Sequence, residues 1–242
     1  MDTLRADGRT PAALRPITIE LGVQHQAAGS VLIRWGNTHV LCAASVENRV
    51  PPHRLASGGG WLTAEYAMLP GSGDQRIRRE RGKVKGRTAE IQRLIGRSLR
   101  AAVDLNALGP RTLSLDCDVI NADGGTRCAS ITGAYIATCI AMHGIAQEND
   151  TPFVAPPQVA AVSVGLLDGQ VLTDLMYTED YAADVDLNFV GSTKGIVEVQ
   201  GTAEGAVFGR AQLTAMLDAA EAACAELFTL QRQALAHLEI ML

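Results

Sequence analysis

Apolar and polar positions alternate along Thr112–Ile120 (TLSLDCDVI), placing Leu113, Leu115, Cys117 and Val119 on one face, so the pattern predicts a half-buried strand. Strands are also predicted at Ile17–Leu21, Ser30–Trp35, His39–Val46 and Trp61–Met68, with Gly36-Asn37 as a hairpin turn between the second and third. Four more are expected near Val159–Leu167, Gln170–Tyr177, Ala183–Val190 and Ile196–Gln200, with a turn at Asp168-Gly169. Elsewhere the period becomes helical. After Arg87, residues Ile91, Leu94, Ile95, Leu99, Ala102 and Leu105 form an apolar stripe. Ala129–Gly144 is small and apolar throughout, as a buried helix should be, and Arg210 opens a long alanine-rich helix. Glu47–Gly60, with Pro51, Pro52 and its glycines, reads as a loop. The order is β-rich then helical, twice over. It predicts an α+β fold, a single domain over 1–242 built of two similar β/α halves without a residue-level repeat.

The junctions between these elements carry the candidate chemistry. Asn121–Ala134 (NADGGTRCASITGA) joins a strand to a helix through two glycines. Such a turn exposes backbone N–H groups, and the helix dipole adds positive potential at its mouth. Thr126 can add a hydroxyl donor and Arg127 a two-pronged one. This predicts a phosphate site at Gly125, Thr126 and Arg127; the plainer alternative is an Asp-Gly-Gly turn with a surface arginine. A second helix mouth of the same kind lies at Lys85–Arg93 (KGRTAEIQR), where Thr88 is the expected N-cap and Gly86 and Arg87 stand at the opening. Two such mouths suggest one anion held from two sides.

Asp174–Asn188 (DLMYTEDYAADVDLN) contributes paired carboxylates. Asp180 and Asp186 are an even number of residues apart, so they share a face if the segment is one extended strand. An irregular segment can instead fold both onto one point. Paired carboxylates near phosphates point to Mg²⁺, and the alternative is an acidic surface strand.

Composition narrows the field. A chain of 242 residues with 47% hydrophobic and only 4% aromatic residues can bury a full core of Val, Leu, Ile and Ala. Its five cysteines (Cys42, Cys117, Cys128, Cys139, Cys224) form no CxxC pair, which argues against a disulfide framework or zinc site and for a reducing compartment. The N-terminal MDTLRADGRT lacks an apolar signal core, and no apolar run is expected to reach the ~20 residues of a bilayer span. A cytoplasmic location without membrane contact is therefore expected. The five histidines sit in no acid–base motif and are assigned to structure or surface.

The net charge of −5 hides an asymmetry. Gln75–Arg100 holds ten Lys/Arg against Glu80 and Glu90, a local +8, leaving −13 elsewhere. Its first part (QRIRRERGKVKG) has no apolar period and is expected to be a mobile loop. Arg76, Arg78, Arg79, Arg81, Lys83 and Lys85 make it a candidate polyanion grip for RNA, against the commoner solvated charged loop.

At this point a family resemblance carries further. DGR at 7–9, LRPI at 14–17, GSVLIRWGNTHVLC at 29–42, GWLTAEYAMLP at 60–70, KGRTAEIQRLIGRSLRA at 85–101, DCDVINADGGTR at 116–127, VDLN at 185–188 and VEVQGTAEGAVF at 197–208 occur in the order of the ribonuclease PH family. The chain resembles that family over nearly its whole length. The resemblance implies a phosphorolytic 3′-to-5′ exoribonuclease that trims transfer-RNA precursors, releases nucleoside 5′-diphosphates and runs in reverse. It implies phosphate binding by Arg87, Gly125, Thr126 and Arg127, and catalytic, metal-associated roles for Asp180 and Asp186. It also implies the ribonuclease PH-type fold, inorganic phosphate as co-substrate and a homo-hexamer, a trimer of dimers; the tail Ile240-Met241-Leu242 is consistent with subunit contacts. Two positions depart from the family pattern. Cys128 stands where threonine is common, and Tyr181 stands where a small polar residue is usual. A non-catalytic RNA-binding ring subunit would typically lack the arginines or aspartates present here. A hydrolytic metal nuclease would not need two arginine phosphate cradles.

Overall fold

The computed structural model describes residues 5–82, 84–204 and 207–242. Five strands form a first sheet: β1 (Ile17–Leu21), β2 (Gly29–Trp35), β3 (Thr38–Glu47), β4 (Trp61–Met68) and β5 (Thr112–Asn121). Their spatial order is β1-β2-β3-β5-β4. Neighbours are antiparallel except β4 and β5, whose parallel pairing needs a crossover. Helix α1 (Gly86–Arg100) lies in that crossover and packs on β4. The β2–β3 hairpin closes Trp35 on Thr38 through Gly36-Asn37, and Gly36 takes φ 55° to do so.

Helix α2 (Thr126–Glu148) follows β5. A second sheet is then built from β6 (Val159–Leu167), β7 (Gln170–Thr173), β8 (Val185–Ser192) and β9 (Gly195–Ala203), all antiparallel in the order β7-β6-β8-β9. Between β7 and β8 stands a short helix, α3 (Tyr177–Ala182), and α4 (Arg210–Ala236) closes the order.

The two sheets share one core. Helix α2 packs on β2 and β3 and also on β6, and it touches α4, which packs on β6, β7 and β8. One continuous apolar cluster runs from Val31, Ile33 and Val40 through Ile131, Tyr135 and Ile136 to Val162, Val164 and Leu227. From Cys128 to Cys139 every residue of α2 is buried, so this helix has no polar face to show. By length and composition α2 is apolar enough to cross a membrane, which corrects the expectation that no run is long enough. Within this fold 83% of its most apolar window is buried, as befits the central core helix.

Four sequence expectations change in detail. The strand predicted to reach Tyr177 ends at Thr173, because Asp174 turns the chain with φ 58° and α3 begins at Tyr177. Thr88 is not the cap of α1: Lys85 occupies that position without a side-chain cap, and the Thr88 hydroxyl instead donates to Glu80 Oε1 at 2.9 Å. Helix α1 ends at Arg100, so Ala102 and Leu105 cover the core from beyond its last turn. The predicted loop at 47–60 contains a short 3₁₀ turn, Pro52–Ser57. All five cysteines are free and buried.

Candidate active site

The glycine turn after β5 is shaped by a close approach. Gly124 and Gly125 have φ 73° and 66°, the left-handed region that glycine enters at little cost. A Cβ on Gly124 would lie 2.5 Å from the Leu175 carbonyl oxygen and 2.9 Å from the Tyr177 nitrogen. The turn therefore rests directly on the backbone that opens α3. Asp123 locks the two together, its Oδ1 accepting the Tyr177 N–H at 3.2 Å while Oδ2 accepts from Asn37 Nδ2 at 3.1 Å. Thr38 adds a clamp, donating to the Gly124 carbonyl at 2.6 Å and accepting from the Asp123 N–H at 3.0 Å.

Helix α2 starts at Thr126, with Gly125 as its N-cap. Thr126 and Arg127 thus stand in the first turn, three residues earlier than the apolar run alone indicates. The Thr126 hydroxyl lies 2.9 Å from the Tyr66 hydroxyl. Burial pushes the Tyr66 phenol up, and the Thr126 contact with the Arg87 and Arg127 charges opposes that push. Arg127 Nη1 donates to Glu90 Oε1 on α1 at 3.3 Å and to Gln200 Oε1 on β9 at 3.1 Å. The two helix mouths singled out from the sequence are joined by the Glu90–Arg127 contact.

Across from them are the carboxylates. Asp180 is on α3 and Asp186 on β8, so they do not share one strand. The bend between the two elements brings both to one cavity. Asn188 Nδ2 approaches the Asp186 oxygens at 3.2 and 3.4 Å. Burial, then the charge of Asp180, pushes the Asp186 carboxyl up to about 6, against the pull of Arg127, Asn188 and Arg87. Burial also raises Asp180, again opposed by Arg87 and Arg127. Both arginines therefore act electrostatically on both aspartates.

This cavity of about 1070 Å³ is lined by Arg87, Gly125, Thr126, Arg127, Asp180 and Asp186 together. It also takes in Asp123, Ser163, Tyr177 and Asn188, which the sequence reading did not single out. Asp123 and Asn188 do fall inside motif blocks, DCDVINADGGTR and VDLN, and that was the available signal. No histidine lines the cavity among the described residues. The residues just before the basic segment, Ser72, Gly73 and Asp74, border it together with Gln75, while Arg76, Arg78, Arg79, Arg81 and Lys85 are exposed outside it. Lys83 lies outside the described residues.

Beneath α3 lies a buried ionic layer. Asp174 accepts from the Arg15 backbone N–H at 2.7 Å, from Arg15 Nε at 3.0 Å and Nη2 at 2.6 Å, and from the Trp35 indole at 2.8 Å. Burial works against the Arg15 charge, but its contacts with Asp174 outweigh this and hold its pKa up. Arg5 reaches Glu179 with Nε at 2.7 Å and also with Nη2. Glu179 in turn accepts the Met176 N–H at 3.0 Å. These pairs tie residues 5–15 to the segment that carries Asp180.

Comparison with known proteins agrees with this architecture. Residues 13–142 match the model of the 3′ exoribonuclease family, domain 1, and residues 158–223 match domain 2. Ribonuclease PH of Corynebacterium kroppenstedtii is 54% identical, covering 97% of this chain and 94% of that protein. Ribonuclease PH of Corynebacterium efficiens is 56% identical over 96% of each chain. Among solved structures, rice (Oryza sativa) Rrp46 superposes with a TM-score of 0.77 at 19% identity, covering 96% of this chain and all of that one. The Archaeoglobus fulgidus exosome with RNA bound to the active site gives 0.79 at 20% identity, covering 94% and 92%. The chain belongs to the ribonuclease PH family, the phosphorolytic enzymes that shorten RNA from its 3′ end.

Proposed function

We propose that the 1070 Å³ cavity is where this chain performs phosphorolysis, with the residue roles that follow. The observation that carries the reading is that one cavity brings two kinds of side chain together. Arg87, Thr126, Arg127 and the glycine turn form its arginine wall and Asp180 and Asp186 its aspartate wall, with both arginine charges acting on both aspartates.

Inorganic phosphate attacks the last phosphodiester of an RNA 3′ end. A phosphate oxygen bonds to that phosphorus, the bond to the 3′-oxygen breaks, and a nucleoside 5′-diphosphate leaves. Two anions must meet, so their repulsion must be screened. Arg87 and Arg127 hold the attacking phosphate by charge-assisted hydrogen bonds, and Thr126 with the α2 N-terminus adds neutral donors. The leaving 3′-oxygen needs a proton, and the attacking hydrogen phosphate gives up the one that balances the exchange. Because one phosphorus–oxygen ester is exchanged for a phosphoanhydride, the reverse addition from nucleoside diphosphates also runs.

The aspartate wall fits Mg²⁺. Asp180 and Asp186 stand together at one cavity, the first exposed and the second partly buried, both with raised carboxyls, and neither is in an ion pair among the described residues. No group of three or more ligating side chains occurs among the described residues, so the protein would supply few of the ion's ligands, here Asp180 and Asp186. That donor set suits an ion that completes its shell with water and phosphate oxygens. When bound there, Mg²⁺ would neutralise charge on the scissile phosphate and the departing oxygen.

The same reading extends to the assembly and the substrate. The two halves behave as one unit, supported by the apolar cluster that crosses both sheets. The substrates are transfer-RNA precursors and other RNA 3′ ends, gripped by the basic segment. The chain assembles as a homo-hexamer and works in the cytoplasm, in keeping with its family and its free cysteines. One experiment separates this reading from hydrolysis. Incubated with RNA and Mg²⁺, the protein should release nucleoside diphosphates only when phosphate is added. Monophosphate release without phosphate would overturn it.

A further inference from the structure

We propose that Tyr177 and Tyr181 form a stacking platform at the rim of the cavity for a nucleobase near the 3′ end of the bound RNA. The inference rests on reading the cavity as the site of the RNA end.

The two tyrosines are four residues apart on α3, which places them on one face of the helix. Their ring centroids are 6.4 Å apart with planes tilted by 36°. Tyr177 lines the cavity together with Asp180 of the same helix, so the platform is continuous with the catalytic wall. Both rings face solvent, at 53% and 84% exposure.

That exposure is out of keeping with the rest of the chain. Only four tyrosines are present, and the other two are buried with their hydroxyls engaged: Tyr66 beside Thr126, and Tyr135 donating to the Pro156 carbonyl. Among the described residues no other Tyr, Phe or Trp is exposed; Trp61, Phe153, Phe208 and Phe228 are partly buried and the rest are buried.

Every nucleobase presents a flat apolar face, and stacking on an exposed aromatic ring needs no sequence-specific hydrogen bond. A strand whose end sits between the arginines and the aspartates holds its nearby bases at high effective concentration around α3. A base is therefore the occupant that the geometry delivers, and a second copy of the chain is the competing one.

The test uses the full-length protein and fluorescent single-stranded RNA in chelator without phosphate, so that binding is read without turnover. Tyr181→Ala should weaken binding by about tenfold, within the range of one lost base–aromatic stack. Tyr181→Phe and Tyr181→Trp should bind like the parent protein. Abasic substitution at the 3′-terminal nucleotides in turn should weaken the parent at one position and cost Tyr181→Ala nothing more there. In turnover, Tyr181→Ala should raise KM for RNA and leave kcat and KM for phosphate unchanged. Equal RNA affinity of Tyr181→Ala and the parent overturns the proposal, as do additive losses with abasic RNA. A lower assembly mass of Tyr181→Ala by sedimentation also overturns it, assigning the rings to contacts between copies. Failure of the cavity reading itself would look different, since the parent protein would then degrade RNA without needing phosphate.

Discussion

The two walls of the cavity are held in place by different physics. The arginine wall is partly wet and held by hydrogen bonds more than by buried charge: Arg87 and Arg127 stand in the first turns of their helices, and the Glu90–Arg127 pair is 33% and 15% exposed at its side chains. The aspartate wall, with Asp180 exposed at its surface, rests on a dry layer assembled at long range. Arg15 and Asp174 meet across 159 residues, Arg5 and Glu179 across 174, all with side chains at most 8% exposed. A wall that keeps two carboxylates close together must resist their repulsion, and buried ion pairs supply the restraint.

The largest expected effect comes from breaking the dry side. Asp174→Ala leaves the Trp35 indole without its acceptor and the Arg15 guanidinium without its counter-charge in a buried layer, with only backbone carbonyls left to Arg15. Removing one partner of a buried pair typically costs ~3–5 kcal/mol. Chemical denaturation should show a loss of that size, with activity falling as α3 loses its support. Glu90→Gln is the matching change on the wet side, where exposed pairs contribute under ~1 kcal/mol. If both variants are equally stable, the two walls do not differ in the way described.

Next in size is Asp186→Asn. The rate should drop by about 100-fold or more and Mg²⁺ activation should weaken, with RNA affinity kept. Stability should respond in the opposite sense. Asp186 titrates near 6 in the fold against an ordinary 3.8, so the folded state holds its proton more tightly than the unfolded state does. Between pH 3.8 and about 6 the folded protein carries more protons, and stability therefore falls as pH rises through that window and stays lowered above it. In chelator above pH 6, Asp186→Asn should be more stable than the parent by about 1–2 kcal/mol, a figure discounted for the partial exposure of the group. Excess Mg²⁺ should stabilise the parent and not the variant. A parent protein whose stability is flat across the window would contradict the burial of this carboxyl.

The contrast between the walls also explains what the sequence made legible. The strand before the Gly-Gly turn and the helix after it follow from neighbouring residues, so pattern put Gly125, Thr126 and Arg127 at a helix mouth, where the structure has them. The aspartate wall depends on contacts between residues far apart in the chain. Spacing therefore left Asp180 and Asp186 with two options, a shared strand face or a folded segment, and the structure has the second. The strand expected to run to Tyr177 failed for the same reason: Arg15 and Trp35 draw Asp174 inward and turn the chain there. Nothing in the local pattern marks Arg5 or Arg15 as buried, although Arg15 lies in the family block LRPI.

On the arginine wall, Arg127→Ala should remove a two-pronged phosphate contact at about 1.5–3 kcal/mol, read as a rise in KM for phosphate with RNA binding largely kept. Arg87→Ala should behave alike. The double variant should lose less than the sum of the two, because both side chains hold one ion. Additive losses would separate the arginines into two sites, and an unchanged KM would remove them from phosphate binding.

The smallest effect is expected outside both walls, in the basic segment. Arg76, Arg78, Arg79 and Arg81 are exposed and line no part of the cavity, so they can act on RNA only through its body. Arg79 is already engaged in part, since its charge pulls down the Asp118 carboxyl on β5 against the upward push of burial. Each phosphate contact adds about 0.7–0.9 to the salt slope of log affinity, so replacing all four arginines by alanine should flatten that slope by ~2–3 rather than by the full sum. Trimming of a transfer-RNA precursor should suffer more than degradation of a short oligonucleotide, which reaches the cavity without crossing the segment. Equal losses on both substrates would place these arginines in the catalytic centre or at a subunit contact. No loss on either would make the segment a solvated charged loop, and the two walls would then account for RNA binding without it.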